Sequence, residues 1–517
     1  MTTGPTYPGV YIEEVPGGVP LIAAVATSIT AFIGRAQRGP CNRPTRVQNF
    51  LEFERTFGSL WVDSTMSYAV RQYFVNGGSD AVIVRVHNGA AKATIDLPGA
   101  SGTLSLEALG EGVWGNNLRV LIDYDTQDPT DAALFNLTIE EEDPTTGEVA
   151  SSESFSDVST EAGTDRYVAR LLQQQSALAV TSGTVPPERP TASSIDQATG
   201  EPIPISSNND GSDGSEIDAS HITDPSLKAA KCGLWALDDV DVFNLLCIPP
   251  FTRDLDADPT MLDTAATYCE ERRAMLIVDP PSGWTSKDAA VAGITAFSFA
   301  VRKNAAVFFP RILVPDPLQQ NQLVAFAPCG AVAGIFARTD RNRGVWKAPA
   351  GQDATLLGVS GLDIQLNDSE NGELTPLGVN CLRTFPTLGS VVWGARTLDG
   401  ADDLASEWKY IPVRRMALFI EESLYQGLKW VVFEPNDEPL WSRIRLSVGT
   451  FMDKLFRQGA FEGSTPDEAY LVKCGSETTT QADVGLGIIN ILVGFAPLKP
   501  VEFVILKIQQ MAGLSEM

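Results

Sequence analysis

The clearest hydrophobic rhythm in the chain lies in its last quarter. Met416, Phe419, Ile420, Ser423, Leu424 and Leu428 recur at helical spacing, with Glu421, Glu422 and Gln426 between them, which predicts an amphipathic helix. A second helix is predicted just beyond it. Asn436-Asp437 offers capping oxygens and Pro439 suits the first turn. Leu440, Ile444, Val448, Phe451, Met452, Leu455 and Phe456 then form the apolar stripe, and Gly459 is suited to end the helix. Arg443, Lys454 and Arg457 fall off this stripe, so they face solvent or a partner. Three apolar runs around the helices read as strands: Trp430 to Phe433, Ala469 to Cys474, and Val501 to Ile508. The last is almost wholly apolar (Val501, Phe503, Val504, Ile505, Leu506, Ile508), the pattern of a strand covered on both faces. It either pairs within its own chain or adds to the edge of a neighbour's sheet.

The same reading, taken from the start of the chain, gives a strand-like arm at Thr6 to Val15. It contains Pro8, Gly9, Val10, Tyr11, Ile12 and Val15 and is punctuated by Pro16-Gly17-Gly18. Between 26 and 90 the pattern is α/β. Ile29 to Gly34 reads as a buried strand, Phe50 to Phe57 and Thr65 to Phe74 as helices, and Ala81 to Val86 as a strand after Gly77-Gly78. From 91 to 232 short strand signals and turns dominate, with one helix near Asp165 to Gln175. Asn208 to Gly214 (NNDGSDG) reads as a surface loop or a disordered tract. From 233 to 400 apolar strands (Val242 to Ile248, Ala274 to Val278, Ala305 to Phe309, Ile312 to Val314) alternate with helices (Met261 to Arg272, Ala289 to Arg302). This β-α-β-α-β order predicts a partly parallel sheet.

Charge and composition then narrow the function. The net charge is −27, which disfavours nucleic acid as a partner. Residues 101 to 230 hold 23 Asp and Glu against 5 Lys and Arg, so about two thirds of the excess lies in a quarter of the chain, as expected of a solvated, exposed insertion. The seven cysteines are scattered without a C-x-x-C pair, and His87 and His221 are the only histidines. A disulfide framework, a histidine zinc site and a Ser-His-Asp triad therefore have little material. Asp279 and Asp238-Asp239 end strands or loops where α/β active sites form, but Asp at such ends is more often a cap. No run matches an EF-hand loop, a Walker A loop or a dinucleotide fingerprint, and the Arg35–Arg38 turn beside glycine reads as a solvated loop. No catalytic, cofactor-binding or metal-binding residue is assigned, and no enzyme activity is expected. No apolar run reaches the roughly 18 residues of a membrane span, and the first residues lack a basic and apolar leader pattern. The expectation is a chain made and assembled in the cytoplasm, without membrane insertion. Arg338, Arg341, Arg343 and Lys347 cluster four cations within ten residues. They form either a solvated loop paired with Asp340 or a subunit contact.

Several phrases together resemble the contractile tail sheath family, the sheaths of contractile-tailed phages, R-type pyocins and phage-like extracellular injection systems. They are PGVYIEEV (8–15), FIGRAQRGP (32–40), NGGSDAVIVRV (76–86), GVWGNNLRV (112–120), the run 327–351, the run 379–398, WKYIPVRR (408–415), FEPND (433–437), GAFEG (459–463) and FAPLKPVEFV (495–504). None is diagnostic alone; their order and spacing are. The resemblance covers 1–90 and 233–510 and implies an α/β (α+β) multidomain fold. The expected parts are an arm at 1–25, the N-terminal part of the core at 26–90, an acidic β-rich insertion at 91–232, an α/β domain at 233–400, an inner C-terminal domain at 401–497, and a C-terminal strand and arm at 498–517. It implies a homo-oligomer of stacked hexameric rings around an inner tube protein, with baseplate and terminal cap proteins as further partners and no cofactor. On this reading Pro8 to Val15 and Val501 to Ile508 are inter-subunit arms, Arg443, Lys454 and Arg457 face the tube, and Arg338, Arg341, Arg343 and Lys347 serve subunit-to-subunit electrostatics. The competing readings are an α/β enzyme of unknown reaction and another lattice-forming structural protein.

Overall fold

A computed structural model describes residues 20–503 of the chain. The described chain divides into two units: residues 27–342 with 349–411, and residues 20–26 and 343–348 with 412–503.

The larger unit is organised by an eight-stranded sheet. Its spatial order is Gly389–Val392, Val379–Phe385, Ala305–Phe309, Met275–Val278, Leu245–Cys247, Thr30–Gly34, Ala81–Arg85 and Thr45–Val47. The six inner strands run parallel, and each edge strand is antiparallel to its neighbour. Parallel strands need cover on both faces, which is why these runs are apolar throughout rather than alternating. Ala31, Ile33, Val82, Val84, Leu246 and Leu276 belong to one core. Phe32, Ile83, Leu245, Cys247, Met275 and Ile277 belong to the other. The first core is closed by helices Pro259–Glu271 and Lys287–Thr295, the second by Phe50–Phe57, Met66–Val75 and Cys329–Arg343. Three of these helices start on a side-chain cap: Asn49, Asp258 followed by Pro259, and Ser286. The helix expected at Ala289 to Arg302 is shorter, ending at Thr295. Phe297 and Phe299 beyond it turn into the core with Trp284, an apolar demand that helical spacing does not meet.

Between Ala81–Arg85 and Leu245–Cys247 the chain makes a β-rich excursion. A four-stranded sheet (Ile205–Ser206, Leu118–Asp123, Leu134–Glu142, Val149–Ser159) and a three-stranded one (Thr94–Gly99, Gly102–Ala108, Ala179–Ser182) share one core with helix Val168–Gln175. Ile217, Ile222 and Leu234 to Leu237 pack in the core of the main sheet instead. Arg85 fixes the joint. Fully buried, it donates to the carbonyls of Ala36, Gly39 and Glu111 at 3.0, 2.7 and 2.7 Å and to the Glu111 carboxylate at 3.2 Å. The 208–214 tract is a pinned loop rather than a disordered one. The Asp210 carboxylate accepts the Thr94 N–H and hydroxyl, both at 2.7 Å, Asp213 accepts the Val113 N–H at 2.9 Å, and Gly211 N–H donates to the Asn116 side chain at 2.8 Å. Its polar residues cap neighbouring strands, a role composition alone does not reveal.

The smaller unit is built on helices Ile411–Gly427 and Glu438–Arg457. Asp437 caps the second through the Leu440 N–H, and the expected stripe is its buried face. Phe461 stacks obliquely against Tyr470 and Phe495, seating the antiparallel pair Tyr470–Lys473 and Leu492–Phe495 on the same core. Residues 20–25 cross this unit as a strap. Ser447 Oγ donates to the Pro20 carbonyl at 2.6 Å, and Val25 N–H donates to Ser423 Oγ at 3.3 Å. Ile22 lies against the Gly427 Cα, where a Cβ would stand 2.7 Å from the Ile22 Cγ2. Trp430 to Phe433 is not the strand expected. Lys429–Val431 is a single 3-10 turn and Phe433 takes φ +71°. Among the described residues no strand pairs with this short apolar run between two helices. The Thr6 to Val15 arm and Val504 to Ile508 lie outside the described residues. Val501 and Phe503 are exposed and belong to no strand.

Candidate assembly surfaces

The residues an enzyme reading would favour are occupied structurally. Asp279 is buried, with Oδ1 accepting the Cys329 N–H at 2.8 Å as that helix begins. Asp238 accepts the Tyr268 hydroxyl at 2.7 Å and Asp239 pairs with Lys231. Among the described residues no three His, Cys, Asp or Glu side chains gather in a set that could hold a metal ion. No helix among them is long and apolar enough to cross a membrane.

Three exposed surfaces of the smaller unit stand out. The first is the pair Tyr470–Lys473 and Leu492–Phe495. No third strand among the described residues joins either side, and Leu471 and Leu492 are exposed. A two-stranded sheet is marginal alone and offers unpaired N–H and C=O groups at its edges.

The second is the outer face of helix Glu438–Arg457. Arg443, Lys454 and Arg457 fall within about 60° of one another at 100° per residue, with the exposed Leu446 and Thr450 between them. Arg443 is partly engaged: it stacks over Trp430, 4.7 Å from the ring centre, and sits 3.3 Å from Glu434. Arg457 pairs with Asp453 one turn back at 2.8 Å. Lys454 is exposed and has no ion pair among the described residues.

The third is the Phe433 turn, within the Trp430 to Phe433 run expected as a strand. Phe433 is fully exposed and Val432 is 62% exposed. A bulky side chain at positive φ costs about 1–2 kcal/mol. Only the adjacency of two apolar residues to the helix-capping FEPND run hinted at it.

The Arg338, Arg341, Arg343 and Lys347 group divides. Arg338 is half-buried and donates to its own chain's Asp353 and Thr355 carbonyls at 3.2 and 2.7 Å. Burial and nearby Arg341 lower its pKa. Arg341 is exposed. Lys347 Nζ donates to the Ala348 carbonyl at 3.0 Å.

A layered, mostly parallel α/β unit with an acidic β excursion, joined in sequence to a helical unit whose strand pair no third strand joins among the described residues, is the architecture of a structural rather than a catalytic chain. Two family models match it: the phage tail sheath protein central domain over residues 220–398 and the phage tail sheath C-terminal domain over 403–511, together more than half of the sequence. The chain belongs to the contractile tail sheath family. It is 28% identical over 137 residues to the tail sheath protein of Vibrio phage KVP40, covering 26% of this chain and 20% of that one. It is 26% identical over 244 residues to a putative prophage major tail sheath protein of Pseudomonas aeruginosa, covering 46% of this chain and 59% of that one. The matched stretches thus span a fifth and about three fifths of these relatives. The fold is shared with the sheath complex of the PVC extracellular contractile injection system in its contracted state, at 21% identity and TM-score 0.59, over 98% of this chain and 99% of that one.

Proposed function

We propose that the chain is the polymerising subunit of a contractile sheath. Copies stack as hexameric rings around an inner tube, with baseplate and cap proteins at the ends. Contraction drives the tube through a target envelope. The observation that carries this reading is the Tyr470–Lys473 and Leu492–Phe495 pair, which no third strand joins among the described residues. Strands donated by arms of neighbouring copies, Pro8 to Val15 and Val501 to Ile508, would complete it by β-augmentation. The exposure of Val501 and Phe503 supports this, since their apolar side chains lack cover among the described residues.

Contraction needs two lattice packings of the same folded units, the contracted one lower in free energy, with the arms holding neighbours together throughout. Many copies act together, so a small gain per copy suffices, and no bound nucleotide is required. The basic outer face of helix Glu438–Arg457 faces an acidic tube. Arg341 and Arg343 serve contacts between copies, whereas Arg338 is tied mainly to its own chain. Assembly takes place in the cytoplasm, with no nucleic acid and no membrane insertion.

Electron microscopy of the purified chain, made alone and with its tube protein, tests the proposal. Hollow, transversely striated cylinders are expected when the tube is present. Uniform monomers under both conditions would overturn it. Salt weakens exposed charge pairs, so tube retention is expected to fall between about 0.1 and 1 M salt.

A further inference from the structure

We propose that Phe433 is the apolar anchor of the tube contact, seating in an apolar socket on an acidic tube subunit beside the basic helix face. The inference rests on the tube-contact reading above and adds to it the residue that fixes register and the partner's chemistry.

Helices Ile411–Gly427 and Glu438–Arg457 are joined by a short connection in which Val432 and Phe433 point away from the core, the phenylalanine fully exposed. Phe433 also holds φ +71°, a conformation that glycine or asparagine would adopt at lower cost. An exposed aromatic in an unfavourable backbone state contributes nothing visible to its own fold, and such outliers cluster where function requires them.

The neighbours hold this geometry firmly. Glu434 N–H donates to the Val431 carbonyl at 3.1 Å. Trp441 Nε1 donates to Asn436 Oδ1 at 2.8 Å, and Asn436 Nδ2 donates to the Ile488 carbonyl at 3.0 Å. That last bond ties the connection to the turn carrying exposed Leu486 and Ile488. The result is a pre-organised apolar knob with further apolar side chains on the adjoining turn.

Charge selects the occupant. Glu434, the residue after Phe433, pairs with Arg443, and Arg443 opens the row that continues through Lys454 and Arg457. Arg443 thus lies beside the knob and on the same helix face as Lys454 and Arg457. An apolar centre beside basic side chains fits a partner with an apolar socket flanked by carboxylates, the usual layout of an anchored interface. A second copy of this acidic chain is the competing occupant.

Co-sedimentation of the full chain with purified tubes, read as bound fraction against tube concentration, tests the proposal. Electron microscopy of the same samples accompanies it. Phe433→Gly removes the ring and suits the backbone, so the variant is expected to keep its fold and unfold no earlier than the parent chain. Its apparent Kd for tubes is expected to rise at least about tenfold. The pair Lys454→Glu with Arg457→Glu tests the underlying tube reading separately. If that pair weakens binding while Phe433→Gly leaves it unchanged, the tube face stands and the anchor is overturned. If neither changes binding, both fall. If Phe433→Gly binds tubes normally but no longer forms polymers, the patch is a contact between copies and the proposal is overturned.

Discussion

Asp279 and Arg85 illustrate opposite ways in which one buried charge shapes this fold. One oxygen of Asp279 holds the Cys329 N–H, while Oδ2 is buried without a hydrogen-bond partner. Burial pushes its pKa from an ordinary 3.8 up to about 6. The folded state thus binds this proton more tightly than the unfolded state does. The associated stability is fully present below about pH 4 and is lost as pH rises through about 6, on the order of 2–3 kcal/mol in all. Asp279→Asn keeps the acceptor and removes the charge. It is expected to raise the urea midpoint at pH 7.5 and to flatten the change in stability between pH 4 and 7. An unaltered pH slope would contradict this. Arg85 is stabilising because its guanidinium is met by four oxygens at the joint of the β excursion. Arg85→Met strands those carbonyls and is expected to cost about 3 kcal/mol or more in urea unfolding. A loss within about 0.5 kcal/mol would show the joint to be held elsewhere.

Elements were legible where the sequence carries both an apolar period and a local terminator. Phe50–Phe57 with its Asn49 cap, Pro259–Glu271 behind Asp258, and Glu438–Arg457 behind Asp437 all follow from such pairs of signals. The parallel sheet followed from apolar runs alternating with helices, although no local pattern gave the strand order. Where only one signal was present the reading failed or stayed open. The Trp430 to Phe433 run was apolar and short, and lacked a pairing partner. The 208–214 tract had loop composition, but its partners at Thr94, Val113 and Asn116 are about a hundred residues away in sequence. The basic helix face was readable from periodicity, whereas the exposed Phe433 turn and the strap at 20–25 were not. The strap's seat is marked only by small residues, Ser423, Gly427 and Ser447, on otherwise large-sided helix faces. Gly427→Val is expected to displace Ile22, at about 1–3 kcal/mol of overpacking. Faster hydrogen exchange at the Val25 amide would report it; unchanged protection would mean the seat tolerates the branch.

At the scale of the whole molecule, an acidic excursion, an open eight-stranded sheet and a two-stranded pair that no third strand joins among the described residues fit the proposed subunit of an assembly. Most of the −27 charge belongs to the excursion, so copies repel through that region unless it is kept exposed to solvent. On the proposed reading, association rests on strand pairing and apolar anchoring in the smaller unit. Residues 1–18 precede Pro20, whose carbonyl accepts the Ser447 hydroxyl. Their removal is therefore expected to spare the fold while abolishing the exchange of strands between copies. The direct measurement is electron microscopy of the full chain and of residues 19–517, each produced with the tube protein and matched for folding by thermal unfolding. Striated cylinders from the full chain, with only folded, dispersed subunits from the shortened one, are the expected result. Normal cylinders from residues 19–517 would contradict assembly through the N-terminal arm.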